Sequence, residues 1–208
     1  VPQLYNSEKS GKVCLFNYND MDESWHQRGG DIRVTTNLEF GSSVSLSADG
    51  NVVAVGTGRP YSTNITNTIC HTNVFEYDTS NDKWNHRGKC LGSDEMSYFS
   101  VVKLSSNGLV VAIGAPLSGK DGNEVGHVKV FENTQYTKEW KQRGQAIEGD
   151  RAYNNLGYAL SISADGSVLA VAGSTALYIR VYKYINDKQQ IEKWQLRGDK
   201  IRKEPAND

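Results

Sequence analysis

The chain has 208 residues, and its 23 basic and 24 acidic side chains leave a formal charge of −1. Such a balance offers no electrostatic footprint for a polyphosphate backbone, so nucleic acid is a poor partner. No apolar run reaches the roughly 20 residues that a spanning helix needs, so this segment carries no candidate membrane span.

Read in chain order, the text is strand-like throughout. Residues 12–17 read as a third strand, and Trp25 to Arg28 follow, closed by Gly29. Together they read as the last two strands of a unit (1–29) whose first two strands are absent. A complete unit follows over 30–88. Its first strand begins at Phe40-Gly41, and Asp49-Gly50 reads as a two-residue hairpin turn, which needs positive φ at both central positions. Val52 to Gly56 is then a continuous apolar run, suited to a strand buried on both faces. Residues 71–77 read as the third strand, and Trp84 to Arg87 form the fourth.

The same order recurs over 89–144, with Asn107-Gly108 at the turn, and over 145–198, with Asp165-Gly166. Residues 199–208 form a C-terminal tail. Each unit ends on one signature: Trp25-His-Gln-Arg28-Gly29, Trp84-Asn-His-Arg87-Gly88, Trp140-Lys-Gln-Arg143-Gly144 and Trp194-Gln-Leu-Arg197-Gly198. The tryptophans lie 59, 56 and 54 residues apart. A period near 50 residues with four short strands per unit predicts an all-β propeller of four-stranded antiparallel blades, about three and a half of them present. The recurring Trp and Arg residues are expected to be scaffold. The indole offers a large apolar wedge between units, and the guanidinium can stack on an aromatic or hold a carboxylate.

Phe40-Gly41 with Val44, Gly114-Ala115-Pro116 and the run from Gly126 to Phe131 resemble the FG-GAP repeats of integrin α-subunit propellers. The Trp-x-Gln-x-Gly and Ser-Leu-Ser-Ala-Asp-Gly elements resemble the integrin-like repeats of secreted and surface proteins of unicellular algae. The resemblance spans almost the whole chain and implies the fold. Leu156-Gly157 replaces Phe-Gly in the last unit, and the Asp-rich calcium loop of many such repeats is missing. Residues 120–124 are the nearest substitute, and no metal or cofactor is implied. A chain of this kind is expected to be an excerpt of a longer propeller or to close with another chain, since an open arc leaves strand edges unpaired.

Cys70 precedes a third strand and Cys90 follows the fourth strand paired with it, which makes a Cys70–Cys90 disulfide geometrically plausible. With the sequon at Asn64, this favours an oxidising, extracellular or cell-surface setting. Cys14 remains over. His26, His71, His86 and His127 show no zinc-site spacing, and no nucleophile elbow or phosphate loop occurs. The expected function is therefore a non-catalytic adhesion, interaction or structural module. Its partners would be other protein chains, further blades or glycans, held by loops 30–39, 57–70, 89–98 and 115–126. Arg59, Tyr61 and Tyr98 are the binding candidates there. The alternatives are a lectin-type propeller and part of a polysaccharide-active enzyme completed by absent blades.

Overall fold

The computed structural model describes residues 11–34, 39–58, 71–92, 100–119, 123–134, 139–176, 178–187 and 192–202. Strands are the regular elements among them. The first are β1 (Lys12–Val13), β2 (Phe16–Asn19), β3 (Ser24–Gln27) and β4 (Ile32–Arg33); β1 pairs with β4 and β2 with β3. A four-stranded sheet follows in the order β5 (Phe40–Leu46), β6 (Val52–Thr57), β7 (Thr72–Asp78) and β8 (Lys83–His86). The next meander runs β9 (Val101–Leu104), β10 (Val110–Ala115), β11 (His127–Asn133) and β12 (Trp140–Gln142), with β13 (Ile147–Glu148) also on β11. The last runs β14 (Leu156–Ile162), β15 (Val168–Gly173), β16 (Tyr178–Asn186) and β17 (Glu192–Leu196), with β18 (Ile201–Arg202) also on β16. Every strand pair within these sheets is antiparallel.

The second strand of each sheet explains why the sheets need one another. Side chains alternate across a strand. Val53 and Val55 of β6 pack with Ile32 of the sheet before, whereas Val52 and Ala54 pack with Val102 and Val111 of the sheet after. β10 divides the same way: Val111 and Ile113 face backward, and Val110 and Ala112 face forward onto Leu156, Leu169 and Trp194. Each of the three apolar clusters therefore lies between two successive sheets. The apolar run read as doubly buried is so because a sheet stands on either side. β15 has a sheet on one side only: Leu169 and Val171 are buried, while Val168, Ala170 and Ala172 between them are half-buried.

Glycine sets how closely the sheets approach. Gly157 has a φ of +93°, and a Cβ there would stand 2.9 Å from Gly114 Cα of the preceding sheet. It lies at the register shift between Leu156 and Ala159, as Gly41 does between Phe40 and Ser43. The Gly of the Phe-Gly and Leu-Gly pairs thus marks a bulge, and at Gly157 two backbones nearly touch.

Two expectations change. The hairpin between first and second strands is not a two-residue turn with positive φ at both centres: only Gly50, Gly108 and Gly166 are left-handed there. The acid or amide instead builds a longer turn from its side chain. Ser47 Oγ donates to Asp49 Oδ1 at 2.6 Å, Asn51 N–H donates to the same oxygen at 3.0 Å, and Val52 N–H donates to Ser47 Oγ at 2.9 Å. Ser105 and Asn107 repeat this, as do Ser163 and Asp165. Donation by Ser163, then by the Ser167 backbone, pulls the Asp165 carboxyl down to about 2. The glycine of the Trp-x-x-Arg-Gly signature also does not end its strand. Pairing resumes beyond it at β4, β13 and β18, so the Arg-Gly pair is a corner within a broken fourth strand.

Leu169→Ala should lower the unfolding free energy by roughly 2–5 kcal/mol, because its side chain is fully buried in the core between the last two sheets. Val168→Ala, on the open side of the same strand, should cost under about 1 kcal/mol on the same scale. Urea unfolding of the two variants checks the difference, and equal losses would remove the argument from alternation.

Candidate functional site

The repeated signature forms a junction between neighbouring sheets. Trp84 Nε1–H donates to the Arg28 carbonyl at 2.9 Å, Trp140 to Arg87 at 2.7 Å and Trp194 to Arg143 at 2.7 Å. Each indole thus reaches back to the corner of the preceding fourth strand. The corner arginine reaches forward. Arg28 donates to the Gly50 carbonyl at 2.7 Å and to Asn51 Oδ1, and its guanidinium lies 3.9 Å from the Tyr77 ring centre. Arg143 donates to the Gly166 carbonyl and stacks 4.0 Å over Tyr184. Asn133 stands where those tyrosines do, and the buried Arg87 instead pairs with Glu76 at 3.3 Å. These six residues have scaffold contacts. Trp25 and Arg197 make no such cross-sheet contact among the described residues: Trp25, 68% exposed, meets Tyr18 of its own sheet edge-on, and Arg197 is exposed.

The remaining candidates separate. Cys90 is disulfide-bonded. Cys14 is a free thiol that donates to Asp31 Oδ1 at 3.0 Å, a bond that raises its pKa. Arg59, Tyr61, Asn64, Cys70 and Tyr98 lie outside the described residues, as do 120–122 of the cation-loop substitute. Among the described residues no trio of His, Cys, Asp or Glu gathers at metal-binding geometry.

Two Ser–His contacts invite a nucleophile reading and fail on geometry. Ser24 Oγ and Asp22 Oδ2 both meet His26 Nε2, at 2.9 and 2.7 Å. A proton relay needs the hydroxyl and the carboxylate on opposite ring nitrogens. Ser118 Oγ lies 2.5 Å from His127 Nδ1 but donates to the Ala115 carbonyl at 2.7 Å. A hydroxyl has one proton to give, so His127 is the donor here and cannot act as base toward Ser118.

A third cluster is more substantial. In an antiparallel meander, the links between second and third strands and between successive sheets share one end. At that end Tyr178 OH donates to Asp150, Lys200 Nζ donates to it at 2.5 Å and Arg180 at 3.2 Å. Tyr178 OH also lies 3.4 Å from Asn154 Oδ1. Next to it, Asn155 Nδ2 donates to Glu124 Oε2 at 3.1 Å and accepts on Oδ1 from Ser174. Arg180, Asn154 and Asn155 are buried. Hydrogen bonds from Lys200 and then Tyr178 hold the Asp150 carboxyl below the usual range, and burial first, then Asp150, raises the Tyr178 phenol. Glu124, Tyr153 and Asn155 all have φ between 41° and 60°, a costly conformation for residues with a Cβ. Of this network only Glu124 falls in a loop the sequence singles out. The stretch from Asp150 to Asn155 is rich in polar residues, but nothing local ties it to Arg180 or Lys200.

No family model and no curated protein matches the chain. Solved structures do. A Bacteroides uniformis protein provisionally described as a 6-phosphogluconolactonase matches with a TM-score of 0.64 at 12% identity, over 92% of this chain and 48% of its own. A Bacteroides fragilis protein with the same provisional description matches with a TM-score of 0.58 at 15% identity, over 90% and 48%. The periplasmic gluconolactonase PpgL of Pseudomonas aeruginosa matches with a TM-score of 0.56 at 13% identity, over 92% and 48%. The fold is an all-β propeller, and the chain spans about half the length of the structures it matches. This corrects the expectation of a non-catalytic extracellular adhesion module. Three of the propellers whose backbone it follows are described as lactonases or gluconolactonases, and one of these is periplasmic.

Trp140→Phe keeps an aromatic ring in the junction, though a smaller one, and removes its bond to the Arg87 carbonyl. The loss should be about 1–3 kcal/mol, the cost of orphaning a half-buried acceptor. Thermal unfolding beside the Trp25→Phe control, which should change nothing, checks it.

Proposed function

We propose that this chain contributes three and a half four-stranded blades of FG-GAP-like type to a larger propeller. The loop end of that propeller takes a small sugar-derived ester of the lactone class. One observation carries the reading: Glu124, Asp150, Asn154, Asn155, Tyr178, Arg180 and Lys200 converge at the end where successive sheets are linked. The likeness of fold to proteins described as lactonases supports it as well.

The chemistry suits the ligand. Amides and a phenol that stays protonated offer hydrogen bonds to ring hydroxyls. Lys200 and Arg180 offer positive charge to a carboxylate, a phosphate or the oxyanion that forms when water attacks the ester carbonyl. Ring opening needs a proton taken from that water and one delivered to the departing ring oxygen. Glu124 is the carboxylate assigned to take the proton from water and, as the ring C–O bond breaks, to return it to the departing oxygen, since Asp150 is held ionised by its cations and is a weak base. The disulfide at Cys90 supports an oxidising compartment.

Hydrolysis of glucono-δ-lactone, followed by acid release against buffer, tests the proposal. The protein should accelerate ring opening, and Glu124→Gln and Lys200→Met should each lower kcat/KM by about tenfold or more. A rate equal to that of buffer, or one indifferent to both substitutions, overturns it.

A further inference from the structure

The hairpin between β9 and β10 carries the one Asn-Gly pair of the sequence, Asn107-Gly108, where the sister hairpins carry Asp49-Gly50 and Asp165-Gly166. A glycine after asparagine leaves its own amide nitrogen unhindered for attack on the side-chain amide, since it has no Cβ. In that reaction the Gly108 nitrogen loses its proton and bonds to Asn107 Cγ. The Cγ–Nδ2 bond breaks, ammonia leaves with a proton, and a five-membered cyclic imide remains. Water then opens the imide at one of two carbonyls. Attack at Cγ gives aspartate on an unaltered backbone. Attack at the main-chain carbonyl gives isoaspartate, with the chain routed through the side-chain carbon.

The fold commits each reacting group elsewhere. Gly108 N–H donates to the Ser105 carbonyl at 3.0 Å. Asn107 Oδ1 accepts from Ser105 Oγ at 2.8 Å and from Leu109 N–H at 3.0 Å. Gly108 is buried with a φ of +66°, and a Cβ there would stand 2.7 Å from Val52 Cβ of the preceding sheet. The hairpins are also tied to one another: Ala48 N–H donates to the Ser106 carbonyl and Ser106 N–H to the Ala164 carbonyl, both at 2.9 Å. Asn107 itself is exposed, so water reaches it. Cyclisation therefore waits for the hairpin to leave its place between the sheets.

We infer that Asn107 is a deamidation site gated by the sheet junction, and that the folded chain accepts its aspartate product and rejects isoaspartate. Asp49 and Asp165 show the fit of aspartate, since each takes the same two bonds, from a serine hydroxyl and from the amide two residues on. Their second oxygens are served by Asn51 and Ser167. Leu109 has no such donor, and at the exposed position 107 water fills that role. Isoaspartate adds a carbon to the main chain inside a turn closed by Ser105 N–H to the Val110 carbonyl at 2.9 Å and Val110 N–H to Ser105 Oγ at 3.0 Å. That closure cannot be kept with a longer path between its ends.

Incubation of the protein in mildly alkaline buffer, folded and in urea side by side, tests this through ammonia release and peptide mass mapping. The unfolded chain should react first at Asn107, and the folded chain about tenfold slower or more, because only opened molecules react. Ser105→Ala frees the side-chain amide and should speed the folded reaction about tenfold. Asn107→Asp should unfold at the parent's urea concentration or above it, and the isoaspartate form, separated by ion exchange and refolded, below it. Equal rates in folded and unfolded protein overturn the gating. So does a folded Ser105→Ala protein that reacts no faster than the parent. An Asn107→Asp protein weaker than the parent overturns the claim about the product.

Discussion

A sheet in this protein cannot bury its own second strand. Two apolar faces require two neighbours, and β6 and β10 have them: alternate residues enter the clusters on either side. Burial worth about 25 cal/mol per Å² of apolar surface then accrues between sheets rather than within them. The unit of stability is the junction, and the sheets stand face to face because that is the arrangement in which β6 and β10 are dry on both sides.

Two further features tighten this packing at opposite radii. Near the first strands, glycines remove the Cβ atoms that would hold backbones apart: Gly114 and Gly157 nearly touch. Ser43 and Ser45 of β5 accept hydrogen bonds from the Val102 and Leu104 amides of the next sheet. At the outer strands, tryptophan and arginine cross in opposite directions, the indole backward to a carbonyl and the guanidinium forward to a hairpin. The two Ser-x-Asp turns fix their hairpins so that the Gly50 and Gly166 carbonyls meet Arg28 and Arg143. One repeated sentence of sequence therefore encodes one repeated interface.

This is why the fold was legible. Period, alternation, doubly apolar second strands and the Trp-x-x-Arg-Gly mark all serve a contact that recurs, and recurrence is visible in one dimension. The turn type was misread because Asp49, Asn107 and Asp165 work through their side chains, whereas Asp-Gly read as a dipeptide suggests backbone conformation alone. The corner glycine was misread as a stop because pairing across the break depends on the third strand, not on local text. The polar network was hidden for a different reason. Asp150 meets Lys200 and Arg180 only when three links fold to one end, and Glu124 meets Asn155 across two sheets. No period announces it, since it occurs once. The adhesion reading failed because an absence of motifs in one chain says little about a site assembled from loops.

Native-state hydrogen exchange tests most directly whether the junctions hold the structure. Amides of β6 and β10, covered on both faces, should exchange most slowly and through one shared opening, and those of β15 should exchange faster because one face lacks a neighbour. Protection of β15 equal to that of β10, with each sheet opening independently, would contradict the account.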